Sequence, residues 1–273
     1  MAAEADLAAL ITWRRQGDNR PVGAAALLRL RRHEGLFASR AVEGAGLVAD
    51  RDRLRGMTEL RSAYHQQLDQ IDGALRRMIA LVVEAISAAN AALLAADEGA
   101  AAVVAARREE IEDLHRAVEG LVFVQLVRQQ PVAAELRFLV AALRIVPELE
   151  LTAALAGEIA RRGSMHIGSE LSPRIRGLVG QLFEHALSMW RQASDAYHER
   201  APGIFNRLQA QDEEIDELHA SLSAELTSGV LRAPVLAEMA LVARFLERLG
   251  YHAVEVGRWI ESFSSSHPHT TAD

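Results

Sequence analysis

Glu109-Glu110-Ile111-Glu112-Asp113-Leu114-His115 returns further along the chain as Glu213-Glu214-Ile215-Asp216-Glu217-Leu218-His219. Each copy is followed by a proline, Pro131 and Pro234, and then by an apolar helical segment with one acid that reads as buried. That acid is Glu150 after Leu149 in the first half and Glu247 after Leu246 in the second. A phrase repeated at long range reports one supersecondary unit used twice. The chain is therefore read as two similar helical units in tandem.

The periodicity on either side of the repeat is helical. Leu60, Tyr64, Leu68, Ile71, Leu75, Met78, Val82 and Ile86 recur at three- and four-residue steps, which places them on one face of a long helix ending near Ala96-Asp97. A second helix spans Ala100 to Gln129, with Val104, Ile111, Leu114, Val118, Leu121 and Gln125 along one side. The third opens at Pro131, a residue suited to a first helical turn, and runs to Arg162 with Gly163 as its stop. Pro147 lies inside it and predicts a kink one turn ahead of Glu150, because it removes a backbone donor. In the second unit Ser172 caps a helix whose first residue is Pro173, and Ala201-Pro202-Gly203 breaks the chain. A fifth helix covers Ile204 to Ser228, and a sixth runs from Pro234 to Phe263. The fold class is all-α: two tandem three-helix bundles, residues 57–163 and 171–263. They are preceded by a loosely ordered N-terminal extension, 1–56, and followed by a polar disordered tail, 264–273.

Composition narrows the function. The chain has 273 residues and a net charge of −7. It has no cysteine, so disulfides and thiolate metal sites are excluded. All 30 basic residues are arginine. Aromatic residues make up 5%, too few for a base-stacking surface, and the acidic balance argues against a nucleic-acid partner. Residues 1–56 differ from the rest: ten arginines against seven acids, interrupted by Gly17, Pro21, Gly23, Gly35 and Gly44. Ala24 to Arg32 is the one short helical stretch there. Two readings stand for this leader. It is an extension, or an over-called start with Met57 as initiator; alternatively it is an arginine-rich arm for partner or membrane surfaces. No signal peptide is legible, and aliphatic runs such as Leu121-Val122-Phe123-Val124 fall far short of the roughly 20 residues that span a bilayer. A soluble, cytoplasmic protein without direct membrane insertion is expected.

The run from Arg128-Gln129-Gln130-Pro131-Val132-Ala133-Ala134-Glu135-Leu136-Arg137 through Phe138-Leu139-Val140-Ala141-Ala142-Leu143-Arg144-Ile145-Val146 resembles the first repeat of PhoU-type phosphate-signalling regulators. Leu60-Arg61-Ser62-Ala63-Tyr64-His65-Gln66-Gln67-Leu68-Asp69 is similar to that family's opening, and Arg244-Phe245-Leu246-Glu247-Arg248-Leu249-Gly250 with His252-Ala253-Val254 to its final helix. The resemblance covers residues 57 to 263. It implies the six-helix fold, a homodimer, and a non-catalytic cytoplasmic adaptor. Its partners would be the ATPase of a phosphate ABC transporter and a sensor histidine kinase, with the phosphate-starvation response held off when phosphate is plentiful. It also implies a metal cluster on a Glu-x-x-x-Asp motif in each repeat.

That motif is broken twice. Carboxylates at i and i+4 share a helix face, and acids from a neighbouring helix complete an oxygen-rich cation site. Glu150 is present but Ala154 stands four residues on; Glu247 is present but Tyr251 follows it. Each departure removes a ligand and a charge, so metal binding is expected to be lost or much weakened, and no catalytic, cofactor-binding or metal-ligating residue is assigned. Glu109, Glu112, Asp212 and Asp216 could still face the two glutamates, or form a solvated helix face. Tyr251 is read as a packing residue with a hydrogen-bonded hydroxyl in preference to a ferric-iron ligand. His115 and His219 are repeat-related, through inherited packing or through function.

No glycine-rich phosphate loop, Gly-x-Ser-x-Gly or His-Glu-x-x-His is present. Three function classes follow. The first is the phosphate-signalling adaptor, with Arg128 to Arg144 as an interaction surface unless Arg128, Glu135 and Arg137 pair internally. The second is a diverged paralogue regulating another transporter or a stress response. The third is a helical metal-carboxylate protein, since bundles build such sites from facing acids.

Overall fold

Apolar residues at helical spacing fold into six long helices among the described residues. The computed structural model describes residues 64–128, 131–229 and 231–264. The helices are α1 (Tyr64–Ala95), α2 (Glu98–Arg128), α3 (Ala133–Gly163), α4 (Pro173–Glu199), α5 (Ile204–Leu226) and α6 (Ala233–Ser264). A short 3-10 turn, Ile167–Glu170, joins the halves. The proposed extension, its short helix and the tail beyond Ser264 lie outside the described residues, as does the start of the first helix ahead of Tyr64.

The helix ends have local causes. Asp97 accepts the backbone N–H of Ala100 at 3.0 Å and so caps α2, which begins at Glu98 instead of Ala100. Ser172 accepts the N–H of Ile175 at 3.2 Å with Pro173 as the first helical residue of α4. Pro131 lies ahead of α3 and Pro234 one residue inside α6, so these two starts shift slightly from the sequence reading. Pro147 does not end α3. Between α4 and α5, Arg200 and Gly203 both take the left-handed conformation, φ 54° and 76°, which turns the chain back.

In the first bundle α2 packs on α3, and Arg77–Glu110 at 2.8 Å and Arg107–Glu84 at 2.6 Å tie α1 to α2. In the second, α4, α5 and α6 pack together. The central helices α3 and α6 lie against one another and join the two bundles. Trp190, Tyr197, Phe183, Leu75 and Met78 are among the largest fully enclosed side chains, each contributing about 1.5–3 kcal/mol by leaving water. The Trp190 indole N–H donates to the Leu249 carbonyl at 3.0 Å.

Two findings revise the sequence reading. Gly163 ends α3 without a left-handed residue; its role is proximity, since a Cβ there would stand 2.0 Å from the Ala92 carbonyl oxygen of α1. In addition, α1 is long and apolar enough to cross a bilayer, a test that core helices also pass. Its apolar residues, Ile71 to Leu93, are enclosed by the bundle, and Arg76, Arg77 and Glu84 lie on its outer side.

Candidate functional site

The outward edge of each central helix carries the repeated glutamate, and in each half the repeated histidine comes to meet it. His115 of α2 presents Nδ1 to the Glu150 carboxylate of α3, while its Nε2 lies 3.2 Å from Glu119. His219 of α5 presents Nε2 to the Glu247 carboxylate of α6 at 3.7 Å. The symmetry of the two histidines is therefore a symmetry of partners. Sequence reading found the recurrence and missed the pairing, because the two members lie on different helices.

Around this shared pair the halves diverge. In the second, Asp212 and Asp216 of α5 line a shallow cleft with Arg244, Glu247, Arg248 and Tyr251 of α6, so these acids do face Glu247. Arg244 clamps Glu247 with one nitrogen 2.5 and 2.6 Å from its two oxygens. Asp212 has no such cation. Burial first, then the neighbouring carboxylates of Asp216 and Glu247, push its pKa up to about 6. Gly250 lets Asp212 sit close to α6, since a Cβ there would be 2.6 Å from its Oδ1.

In the first half Glu109 and Glu112 do not meet Glu150. They line a separate groove with Arg108, Gly157, Glu158 and Arg161. Arg108 occupies the position that Asp212 holds in the second copy, and it pairs with Glu112 at 2.9 Å. Glu150 itself is half-exposed, not buried. Tyr251 also departs from expectation. It is 50% exposed, on the outward arc of α6 with Arg244 and Arg248, and it meets the His252 ring edge to face instead of filling the core.

These donors do not fit the metal clusters that the motif implies. Ala154 offers no ligand, Glu150 is held by His115, and Glu247 is held by Arg244. Among the described residues no group of three or more His, Asp or Glu side chains is arranged to hold a metal ion.

Between the bundles lie polar contacts that the sequence did not announce. His252 of α6 is buried, with Nδ1 2.5 Å from Glu148 of α3. Arg162 of α3 reaches Glu238 of α6 at 2.8 Å and stacks 5.0 Å over Phe245. At one end Asp72 of α1 accepts the Tyr197 hydroxyl at 2.9 Å and the Arg200 guanidinium at 2.5 Å, and Arg200 rests 4.4 Å from the Phe263 ring centre. Burial and Asp72 raise the Tyr197 pKa, so its hydroxyl stays protonated. Glu135 accepts from the Tyr64 hydroxyl at 2.9 Å and is not paired with Arg128 or Arg137.

With a repeated six-helix plan and a repeat-related glutamate in place, the relatives can be named. The PhoU domain matches residues 75–163 and again 179–260. The chain belongs to the PhoU family. It is 35% identical over 202 residues to the phosphate-specific transport system accessory protein PhoU homolog 1 of Mycobacterium tuberculosis, covering 73% of this chain and 91% of that one. Homolog 2 of the same organism is 32% identical over 204 residues, 73% and 95% of the two chains. PhoU of Pseudomonas aeruginosa shares the fold with a TM-score of 0.69 at 24% identity, over 75% of this chain and all of that one. PhoU of Streptococcus pneumoniae does so at 0.64 and 19% identity, over 75% and 98%. The PhoU match in both halves accords with the duplicated phrase.

Proposed function

We propose that this PhoU protein is a cytoplasmic, non-catalytic negative regulator of phosphate uptake and of the phosphate-starvation response. It acts as an adaptor between the ATPase of a phosphate ABC transporter and a sensor histidine kinase, with repeat units 57–163 and 171–263 as its two binding modules. The observation that carries this reading is the family match in both halves, joined to relatives named as phosphate-specific transport accessory proteins over nearly their full length. The site chemistry agrees with a scaffold: Glu150 and Glu247 are engaged by His115 and Arg244, which leaves neither as a free base. We infer that regulation here needs no resident metal, the His115 imidazole and the Arg244 guanidinium engaging the two carboxylates instead. Deleting the gene should raise phosphate-responsive expression in phosphate-rich medium, and the tagged chain should retain the transporter ATPase on purification. Unchanged expression together with no retained ATPase or kinase contradicts the proposal.

A second reading has its own observation. Ala154 and Tyr251 remove the motif acid from both repeats at once, which favours a diverged paralogue serving another transporter or a stress response. A normal phosphate response in the deletion strain, alongside a different transport defect, would select it.

A further inference from the structure

Registering Glu150 of α3 on Glu247 of α6 aligns their buried faces: Leu149 with Leu246, Ala153 with Gly250, Ala156 with Ala253. The outward faces then differ sharply. In α3 the outward positions are the exposed Leu136, Val140 and Leu151, with the half-buried Leu143 and Pro147 between them. In α6 the same positions are Ala233, Ala237, Ala240, Arg244 and Arg248, short or charged throughout. Two large side chains with apolar surface, Leu241 and Tyr251, are exposed on α6, where α3 has Arg144 and Ala154; they lie ten residues apart and form no continuous stripe. On the neighbouring helix Phe123 of α2 is 69% exposed; in the second copy α5 has already ended, and Thr227 stands there as its C-terminal cap. Phe123 and Leu126 close a groove with Leu143 of α3. The molecule thus carries its own control, because the second repeat performs the same packing with alanine and arginine on its outer face. Folding does not require large apolar residues at these positions, and exposed apolar groups gathered in a stripe mark a contact surface.

We propose that the α2–α3 groove docks an amphipathic helix of a partner protein, its apolar stripe laid along α3 and its flank toward α6 acidic. Stripe length, groove shape and charge select this occupant. Leu136 to Leu151 run along one side of α3 for about 22 Å at 1.5 Å per residue, which matches a helix of about four turns. A furrow between two helices accepts a third by seating its ridges, the helix-in-groove mode of recognition. The rim supplies the charge argument. Arg137 and Arg144 are exposed beside the stripe, and among the described residues neither has a carboxylate partner; Arg144 lies 5.7 Å over the Trp259 ring. The rim acids Glu119 and Glu150 face His115 instead. An apolar stripe on α3 with Arg137 and Arg144 along one edge, the edge nearer α6, selects a partner helix that is acidic on that flank.

This inference rests on the adaptor reading and adds the surface and the chemistry of the client. The test places a photo-crosslinking amino acid at Phe123 in the full chain in its own cells, with the same probe at Thr227 as control. Cross-linked peptides are mapped by mass spectrometry. The expected result is an acidic amphipathic helix captured from position 123 and not from 227. A peptide of the captured segment should then lose affinity by about tenfold or more for Val140→Glu and for Arg137→Glu, each confirmed folded by circular dichroism, as for residues central to an interface. Capture of lipid, of a second copy, of the chain's own residues or of a basic segment overturns the proposal. So does equal capture at both positions, or none. An acidic helix from a protein unrelated to phosphate transport leaves the groove standing and removes the phosphate adaptor. Normal phosphate repression that survives Val140→Glu and Arg137→Glu, with no capture at 123, leaves the adaptor and removes the groove.

Discussion

The first and second halves of this PhoU chain keep the same glutamate and the same histidine but put their arginine on opposite helices. In the first, the cation beside the acids of the second helix is Arg108, on α2 itself, paired with Glu112. In the second, Asp212 stands at that position, and the arginine comes from the central helix, Arg244 on Glu247. One half therefore has its α2 acid compensated, and the other has an aspartate whose pKa is raised to about 6 by burial and by neighbouring carboxylates. The contrast teaches that duplication preserves packing more strictly than charge. A core position must fit its neighbours to within a methyl group, whereas an exposed carboxylate needs only some cation nearby.

The halves also differ in how tightly their helices approach, and substitution there should give the largest effect. Gly163→Ala would drive a methyl into the Ala92 backbone, which cannot move aside. A loss of about 3 kcal/mol is expected in chemical denaturation, at the upper end for overpacking. Gly250→Ala meets only the side-chain tips of Asp212 and Ile215, at 2.6 and 2.7 Å, which can rotate away. It should cost about 1 kcal/mol. Equal losses would break the distinction between backbone and side-chain contact.

Removing the histidines sharpens the electrostatic comparison. His115→Ala deletes a group that faces both Glu150 and Glu119 and should cost about 1 kcal/mol. His219→Ala leaves Glu247 still clamped by Arg244 and should cost only a few tenths, about the value of an exposed pair. If His219 proves the costlier loss, the assignment of Arg244 as the main partner is wrong.

A pH dependence comes from Asp212 in the second half. The folded-state pKa of Asp212 is raised to about 6 from 3.8, so the folded chain holds this proton more tightly than the unfolded one. Its ionisation therefore subtracts stability as pH rises from about 4 to about 6, and the penalty is constant above that. Asp212→Asn should be more stable than the parent at pH 7 by no more than about 1 kcal/mol, allowing for solvent screening, with the difference vanishing by pH 4. Thermal melts at the two pH values check the sign; an advantage at pH 4 that disappears at pH 7 would reverse it.

Much of this was legible in the residues. The duplicated phrase and the three- and four-residue apolar steps yield six helices and their order, and Ser172-Pro173 marks one boundary to the residue. Pairs within one helix, such as Arg108–Glu112 and Arg244–Glu247, are readable from spacing alone. His115–Glu150 and His252–Glu148 are not, since nothing local says which helix faces will cross. Gly163 was legible as a helix end but not as a point of contact, because its neighbour Ala92 belongs to another helix. Tyr251 reads as a packing residue because a helical tyrosine more often packs, with its hydroxyl hydrogen-bonded, than ligates a metal; it lies half-exposed on the outward arc of α6. The pattern of apolar residues reports which face of a helix turns inward, and it is silent about the angle at which two helices meet.

The central claim is that the repeated glutamates are engaged by this chain's own side chains, His115 and Arg244. Elemental mass spectrometry of the protein purified from its native host, without chelator, tests it most directly. The account predicts substoichiometric metal and a melting temperature unmoved by added iron, zinc or manganese. One or more metal ions per chain, lost on Glu150→Gln or Glu247→Gln, would contradict it.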